Sequence, residues 1–264
     1  MNRRTIVSLF AILMLLNTNA GAQDEKDRLM ISTDGIKIET KKSKDRDFGV
    51  EFAAIDVGIN SLQDKSDYNS LAAKNLLQVP QAYQNSNLFN LRSGKSWNVN
   101  VWPVLAKWRV VKTKSQKIYF GTGVGLQMYN FRFNRPVTYA NDITPVVYLD
   151  TMNTITKNKL GFTYLSIPLM FTFKTRAAEK AWLVYGVGIT GGYRLSSWTK
   201  QISDQKGLQK NHDKFNFSDF NSCITAEFGL DDYFRLYASY QVTPLQENAL
   251  DQRPFSIGLR FGGL

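Results

Sequence analysis

Residues 118–133, IYFGTGVGLQMYNFRF, are the stretch that decides the fold. Large apolar residues recur along it at alternate positions, namely Ile118, Phe120, Val124, Leu126 and Met128. Glycine fills positions between them, at Gly121, Gly123 and Gly125. Strict alternation predicts a β-strand with two unlike faces. Since glycine weakens a strand interior, the nearly bare face requires a structural reason.

The same alternation occurs in several later segments of the chain. In the last one, PFSIGLRFGGL, apolar Phe255, Ile257 and Leu259 alternate with smaller or polar residues such as Ser256 and Gly258. A soluble barrel would point its second face at water and carry many charges there, whereas here that face holds mostly Gly, Ser, Thr and Asn. A membrane barrel reverses the faces, because apolar side chains meet lipid and small polar ones line a narrow lumen.

Strand-like runs recur from Phe48 onward, at about 48–60, 96–111, 118–133, 159–174, 181–196, 215–230, 233–243 and 253–262. Their connections are long at 61–95, 134–158 and 197–214, short at 112–117, 175–180 and 231–232, and intermediate at 244–252. Alternating loop lengths are typical of outer-membrane barrels, whose periplasmic turns are short. We therefore predict an all-β fold: an eight-stranded antiparallel transmembrane β-barrel with short periplasmic turns, long extracellular loops and both termini in the periplasm.

Local irregularities refine this prediction. The apolar phase slips between Phe52 and Ile55, and Pro103 interrupts the second strand, so both strands should contain a bulge. Residues 69–83 could form a short helix in the first long loop. Aromatic residues near strand ends are expected in the interfacial girdles, namely Trp97, Trp108, Trp182, Trp198, Tyr119, Tyr129, Tyr193 and Tyr233.

The N-terminus predicts export. Arg3 and Arg4 precede a short apolar run, and small residues at 20–22 resemble a signal-peptidase site, so we expect a signal peptide at 1–22. Residues 23–47 are highly charged and read as a periplasmic lead-in with at most one short strand, around 29–38. The barrel domain is predicted over 48–264.

Residues 164–174, YLSIPLMFTFK, resemble the Tyr-Leu-x-Ile-Pro-Leu strand of the PorT-like family, also labelled "porin family" or "outer membrane protein beta-barrel domain". The glycine-rich stretch 184–196 and the terminal FSIGLRFGG are similar to that family as well. The resemblance covers roughly 48–264 and implies an eight-stranded outer-membrane barrel without catalytic residues. Many relatives have an acidic residue where this chain has Ser166, and some relatives assist protein secretion.

Four charged residues are assigned to the barrel interior. Glu227, Arg235 and Arg260 fall on the predicted inner face, and Glu51 is added to them. Opposite charges in a narrow lumen predict pairs that plug it, whereas the alternative is the selective lining of a small pore. Cys223 is expected to pack inside as a small residue.

The sequence offers little for catalysis. Its one cysteine cannot form an internal disulfide, and one histidine with one cysteine does not make a metal site. We therefore predict no enzyme activity, no cofactor and no metal. A loop-based hydrolase that uses His212 beside Asp213 is a minor alternative.

The formal net charge of +11 comes largely from loops and the lead-in. For an exported barrel this favours anionic partners at the membrane, namely outer-membrane lipid and lipopolysaccharide phosphates, over nucleic acid. The alternative is that these cations only keep the turns solvated. The functional hypothesis is a structural or interaction role in the cell envelope, through loop presentation or assistance to an envelope machine with protein partners. The alternatives are a small passive pore and a soluble exported barrel that binds an apolar ligand.

Overall fold

The structure is a computed structural model that describes residues 29–32, 35–38, 47–141, 145–178, 181–231 and 234–262. The chain divides into two units, 1–46 and 47–264. In the first unit, β1 (Leu29–Ser32) and β2 (Gly35–Ile38) pair as antiparallel strands. The expectation of at most one strand in this region is therefore wrong, because the segment turns back at 33–34 and forms a two-stranded hairpin. The predicted signal peptide lies outside the described residues.

The second unit is built on strands. They are β3 (Phe48–Asp64), β4 (Leu77–Gln78), β5 (Trp97–Lys112), β6 (Gln116–Arg132), β7 (Val137–Asn141), β8 (Pro145–Leu149), β9 (Ile155–Arg176), β10 (Trp182–Ser203), β11 (Gly207–His212), β12 (Phe220–Leu230), β13 (Arg235–Gln241) and β14 (Gln252–Phe261). Eight of them, β3, β5, β6, β9, β10, β12, β13 and β14, form a ring of antiparallel pairs that closes between β14 and β3. The predicted eight-stranded barrel is confirmed.

Loop lengths alternate as the sequence predicted. The turns at 113–115, 177–181 and 231–234 are short, and the connections at 65–96, 133–154, 204–219 and 242–251 are longer. Strands β9 and β10 are longer than predicted, at 22 residues each. Since they stay paired up to Ser203 and Ile155, and β11 pairs with the outer end of β10, the sheet continues beyond the membrane on the extracellular side.

The two faces of each barrel strand differ as expected. In β12 every second side chain is exposed, including Phe220, Ile224 and Phe228, while Thr225 and Glu227 between them are buried. Exposed apolar side chains on all eight strands form the lipid-facing band that a membrane barrel requires. Closure leaves no unpaired strand edge in that band, where each unsatisfied backbone group would cost several kcal/mol.

Both predicted bulges are present, and they lie side by side. Ala53 has a positive φ of 64°, and the exposed positions of β3 change phase there. Pro103, opposite it, lies at a register shift between β5 and β6. Phe52 still pairs with Val104 and Ala54 with Trp102. The two slips therefore compensate, and β3 and β5 keep their register.

The inner glycines of β6 make room for large side chains from neighbouring strands. A Cβ at Gly125 would stand 2.4 Å from Cε3 of Trp102 and 2.5 Å from the Val101 carbonyl oxygen. Trp102 itself is almost fully buried in the lumen. Gly125 therefore leaves free the space that the Trp102 indole ring occupies.

The extracellular half of the lumen differs from the prediction. The sequence suggested that small polar residues line the whole interior, but the upper part holds a large apolar cluster. Its members from the strands include Tyr129, Phe131, Leu160, Phe162 and Tyr164, and those from the loops include Leu76, Leu88, Phe89, Phe215, Phe217, Leu245 and Leu250. Since inward positions of β6 and β9 become large and apolar above Gln127 and Ser166, the loops have an apolar surface to fold onto.

Short elements hold the loops over this cluster. The first loop forms α1 (Leu71–Leu76), capped by Ser70, and three 3-10 turns at Gln81–Tyr83, Ser86–Phe89 and Ser93–Lys95. The predicted helix at 69–83 is therefore only six residues long. Strands β4, β8 and β7 form a small sheet that joins the first and second loops. Together these elements close the extracellular end of the barrel.

Three of the expected girdle aromatics point into the barrel instead. Tyr119 and Tyr129 are buried on the inner face, so their placement in the girdle is wrong. Their inward phase follows from the inner glycines of the same strand. Trp97, Trp108 and Tyr193 are exposed on the outer wall, and Trp198 is partly exposed there. Trp182 shares the inner face of β10 with Val184, and Lys117 Nζ lies 4.7 Å from the centroid of its ring, so its placement in the girdle is wrong too. Tyr233 lies outside the described residues.

A glycine exchange tests the close packing in the lumen. Gly125→Val should destabilise the barrel by roughly 1–3 kcal/mol because the new side chain collides with Trp102. The measurement is the urea midpoint of the folded, heat-modifiable species in detergent. Gly191→Val is the matched control, since nothing lies within 4 Å of a Cβ at this outward position. An equal shift in both variants would contradict the packing argument.

Candidate functional site: the charged lumen

The strand register places four charges together in the lumen. Arg260 of β14 is the direct cross-strand partner of Asp56 on β3 and of Arg235 on β13. Glu227 of β12 lies diagonally from Arg235, which pairs with Gly229. Because alternate side chains of a strand share one face, all four point into the barrel. We call these residues the lumen tetrad.

The tetrad is a continuous chain of charge-assisted hydrogen bonds. Arg260 donates from Nε and Nη2 to the two Asp56 carboxylate oxygens, at 2.6 and 2.9 Å. Its third nitrogen, Nη1, donates to Glu227 Oε2 at 2.9 Å. Arg235 Nη1 donates to Glu227 Oε1 at 3.2 Å, and its Nη2 donates to the Gly262 carbonyl at 2.9 Å. Two acids and two arginines leave the tetrad with no formal net charge.

Neutral donors complete the shell around the carboxylates. Trp102 Nε1 and Asn100 Nδ2 both donate to Asp56 Oδ2, at 2.9 and 3.1 Å. Thr172 Oγ1 donates to Glu227 Oε1 at 3.1 Å. All these side chains are buried. Buried charges are tolerated when they are paired and hydrogen-bonded in this way.

The hydrogen-bonded chain extends from the tetrad towards the outside. Asn98 donates to Asn100 Oδ1 at 2.9 Å, and Tyr237 donates its hydroxyl to Asn98 Oδ1 at 2.6 Å. Higher still, Ser256 donates to Asn60 Oδ1 at 2.8 Å. Polar side chains from β3, β5, β13 and β14 are thus cross-linked through the middle of the barrel.

A second set of ion pairs lies nearer the periplasm. Lys107 is paired with Glu51, and Lys174 Nζ lies 2.6 Å from Asp231 Oδ1. Both ammonium groups face the ring of Tyr119, at 5.8 and 5.7 Å from its centroid. Arg109 pairs with Asp47 at the same end.

A small cavity separates these pairs from the tetrad. It has a volume of about 50 Å³, and its lining includes Glu51, Thr122, Met170, Thr190 and Thr225. A space of this size holds a few water molecules. It is far smaller than the several hundred cubic ångströms typical of small-molecule sites.

An ion pair at the other end ties an extracellular loop to the wall. Arg194 of β10 is buried and donates to the Asp219 carboxylate at 2.6 Å and to the Phe217 carbonyl at 2.9 Å. Phe217 in turn packs edge-on against Phe162, with ring centroids 4.7 Å apart. The third loop is therefore held in the lumen mouth by both polar and apolar contacts.

Comparisons with known proteins agree with this architecture. The family model described as "Outer membrane protein beta-barrel domain" matches residues 57–245. The chain belongs to this family. The protein is accordingly an outer-membrane β-barrel, and the soluble-barrel alternative is set aside. No curated protein sequence matches the chain.

Solved structures give only a distant likeness to this outer-membrane barrel. The crystal structure of Ail, the attachment invasion locus protein of Yersinia pestis, is 10% identical over 81% of this chain and 99% of that one, with a TM-score of 0.28. Ail in complex with the heparin analogue sucrose octasulfate is 11% identical over the same shares, also with a TM-score of 0.28.

The structure places the four sequence-predicted interior charges at two levels of this barrel. Glu227, Arg235 and Arg260 are buried together in the tetrad. Glu51 is only partly buried and belongs to the lower pair with Lys107. It therefore lines the cavity and has no bond to the three others.

Sequence reasoning missed Asp56, the main partner of Arg260. The slip between Phe52 and Ile55 was recognised, but the faces beyond it were not reassigned, and the alternation read from Phe52 places Asp56 on the lipid face. Alternation applied backwards from Gly58, a glycine on the inner face of the same strand, places Asp56 in the lumen. Lys174 was missed too, although it shares its face with Ser166 and Thr172.

His212 lies in an exposed position on β11, and its Nδ1 is 3.5 Å from Ser196 Oγ. Partial desolvation and the nearby Lys210 lower its pKa. Asp213, beside it in sequence, accepts from the Lys214 backbone instead. Within the described part of the chain, no carboxylate orients this histidine, so the arrangement lacks the third member of a hydrolytic triad.

The described residues contain neither a metal-binding cluster nor a helix that could span a membrane. No group of three or more His, Cys, Asp or Glu side chains among them is arranged to hold a metal ion. Among the same residues, no helix is long and apolar enough to cross a membrane. Cys223 is buried inside the barrel, as predicted, with Tyr129 Oη 3.9 Å from its sulfur.

Removing one charge of the tetrad should be costly. Glu227→Gln leaves two buried arginines facing one carboxylate, and breaking a buried ion pair costs roughly 3–5 kcal/mol. We expect a lower urea midpoint for the heat-modifiable species. Glu247→Gln, at an exposed loop position, is the control and should leave the midpoint unchanged.

A double variant separates charge imbalance from loss of packing. Glu227→Gln with Arg235→Gln restores a formal net charge of zero. It should recover part of the stability lost in Glu227→Gln alone. If the double variant is less stable than wild type by the sum of the losses measured for Glu227→Gln and Arg235→Gln alone, the charges do not act as one network.

Proposed function

We propose that this outer-membrane barrel is a closed, non-enzymatic protein with a structural or interaction role in the cell envelope. The observation that carries the proposal is that the lumen is filled at two levels. The tetrad and its polar partners cross the middle, and the apolar cluster of strand and loop side chains fills the extracellular end. The surfaces left for partners are the outer wall and the extracellular elements.

The extracellular elements are suited to present a fixed surface. Strands β9, β10 and β11 continue the sheet past the apolar band, and the small sheet of β4, β7 and β8 joins two loops. Buried contacts such as Phe162 with Phe217 hold these loops in one arrangement. Preorganised surfaces bind with a smaller loss of entropy than mobile loops do.

A small passive pore is the second candidate function. The cavity below the tetrad gives this pore little support, since it has room for only a few water molecules and the tetrad borders it. Ion passage would require the buried pairs to separate and the apolar cluster to rearrange. The closed barrel is therefore the better supported proposal.

Several finer points also belong to the proposal. The YLSIPL motif at 164–169 supports membership of the PorT-like subgroup, and assistance to an envelope machine would follow from that membership.

The domain organisation is also part of the proposal. Residues 1–22 are proposed as signal peptide, 23–47 as a charged periplasmic lead-in and 48–264 as the barrel. Outer-membrane lipid, lipopolysaccharide and envelope proteins are the proposed partners.

Conductance in planar bilayers tests the closed-barrel proposal. Purified, heat-modifiable protein should give no steady ohmic current, because the lumen is blocked at two levels. Insertion is checked on the same sample by protection of the barrel from protease. A steady current from correctly inserted protein would favour the pore, and Arg260→Gln should then change its ion selectivity.

The non-enzymatic part of the proposal has its own test. Wild type and His212→Ala should hydrolyse a nitrophenyl ester at the same rate as buffer with detergent. A rate above this background that disappears in His212→Ala would instead support the hydrolase.

A further inference from the structure

The extended sheet outside the membrane carries a row of cations in direct register. Arg132 of β6 pairs with Lys159 of β9, Lys159 pairs with Lys200 of β10, and Lys200 pairs with Lys210 of β11. We call these four residues the cationic row. Lys157 lies one position further from the membrane on the same face of β9.

The row lies on the outer wall of the barrel. The chain neighbours of Arg132 are buried in the lumen, as are Asn158 beside Lys159 and Thr199 beside Lys200. Since successive side chains of a strand point to opposite faces, the cations point outwards. Neighbouring strands are about 4.8 Å apart, so a row across four of them spans roughly 14 Å.

The row has no carboxylate partner within the part of the chain that the structure describes. None of the salt bridges found there involves its members. Arg132 donates from Nη2 to the Thr156 carbonyl at 3.2 Å, while its Nε is buried without a hydrogen-bond partner. Like charges directly opposite one another destabilise a sheet. This arrangement therefore calls for an external anion.

A tryptophan marks the level of the row relative to the bilayer. Trp198 pairs with Gly161 and His212, one outward position nearer the membrane than Lys200. Its ring covers Gly161, where a Cβ would stand 2.3 Å from the indole. Lys210 Nζ lies 5.1 Å from the centroid of the same ring. Tryptophan is enriched at membrane–water interfaces.

Lipid-facing residues begin directly below. Tyr193 and Leu165, which are paired across β10 and β9, are 48% and 43% exposed on the outer wall. The order along the wall is therefore apolar band, tryptophan and cations. Because this end of the barrel is extracellular, the cations stand at the headgroup level of the outer leaflet.

We propose that the cationic row binds the phosphate groups of a phosphorylated glycolipid of the outer leaflet. Guanidinium and ammonium groups are the side chains that recognise phosphate. A row of roughly 14 Å can engage more than one phosphate of the same molecule. Such an anion would neutralise charges that the protein leaves unpaired, while the acyl chains would lie on the apolar band below.

This inference gives a site to the lipid partner named above. It rests on the outer-membrane placement and not on a closed lumen, since a conducting barrel could carry the same row. A failure of lipid binding would therefore count against the cationic row alone, and a steady conductance would count against the closed barrel alone.

The test compares two triple variants with the same change in charge. Arg132→Gln/Lys159→Gln/Lys200→Gln removes three members of the row. Lys65→Gln/Lys74→Gln/Lys95→Gln removes three exposed cations from the first extracellular loop. Folded protein in detergent is titrated with fluorescently labelled rough lipopolysaccharide and with the same material after chemical dephosphorylation. Heat-modifiable migration confirms folding of every sample.

Wild type and the loop variant should bind the phosphorylated lipid equally. The row variant should bind it about a hundredfold more weakly, since each cation near an anionic surface contributes roughly a factor of five. Dephosphorylated lipid should bind wild type as weakly as phosphorylated lipid binds the row variant. If the row variant fails to fold, Lys200→Gln and Lys200→Arg replace it, and only the first should weaken binding.

Three outcomes would overturn the proposal. The row variant could bind as tightly as wild type, or the loop variant could lose as much, which would mean general charge attraction. The dephosphorylated lipid could bind wild type as tightly as the intact one, so that phosphate plays no part. Inorganic phosphate at the same phosphorus concentration could displace the lipid, which would make the row a site for free anions.

Discussion

The hydrogen-bonded seam between β14 and β3 is the constraint on which the rest of this structure depends. In a bilayer every backbone donor and acceptor in the wall needs a protein partner, so the sheet must close. Closure by the pairs from Gln252 with Asp64 to Phe261 with Ile55 fixes the register of the whole ring. That register brings Arg260 opposite Asp56, so the seam also places the bidentate ion pair of the lumen.

Closure also restricts which side chains can occupy the narrow lumen. Eight strands leave space only for side chains, and whatever points inwards must be satisfied by other inward groups. The lower half meets this demand with paired charges and amides, and the upper half with aromatic packing against the loops. Both solutions fill the interior, which leaves the outer wall and the extracellular sheet as the surfaces where partners can act.

The sequence predicted the strands of the barrel wall more completely than the side chains that fill the lumen. Period-two alternation, loop lengths and the disruptions at Phe52–Ile55 and Pro103 identify eight strands and two bulges, because each is a local property of the backbone and its neighbours. Asp56 was missed because the faces were not reassigned beyond that disruption, where the positive φ at Ala53 reverses the two faces of the strand. Tyr119 and Tyr129 were misplaced because strand-end aromatics suit a girdle and a lumen equally well.

By itself, the sequence determined the fold class, the orientation of the faces and the long–short order of the loops. It also placed Glu227, Arg235 and Arg260 on one face, since side-chain direction in a strand follows from position alone. Only the tertiary structure decided which charges meet, because pairing depends on the registers of strands far apart in the chain. The same holds for the cationic row, whose members come from β6, β9, β10 and β11 and are aligned by cross-strand pairing alone.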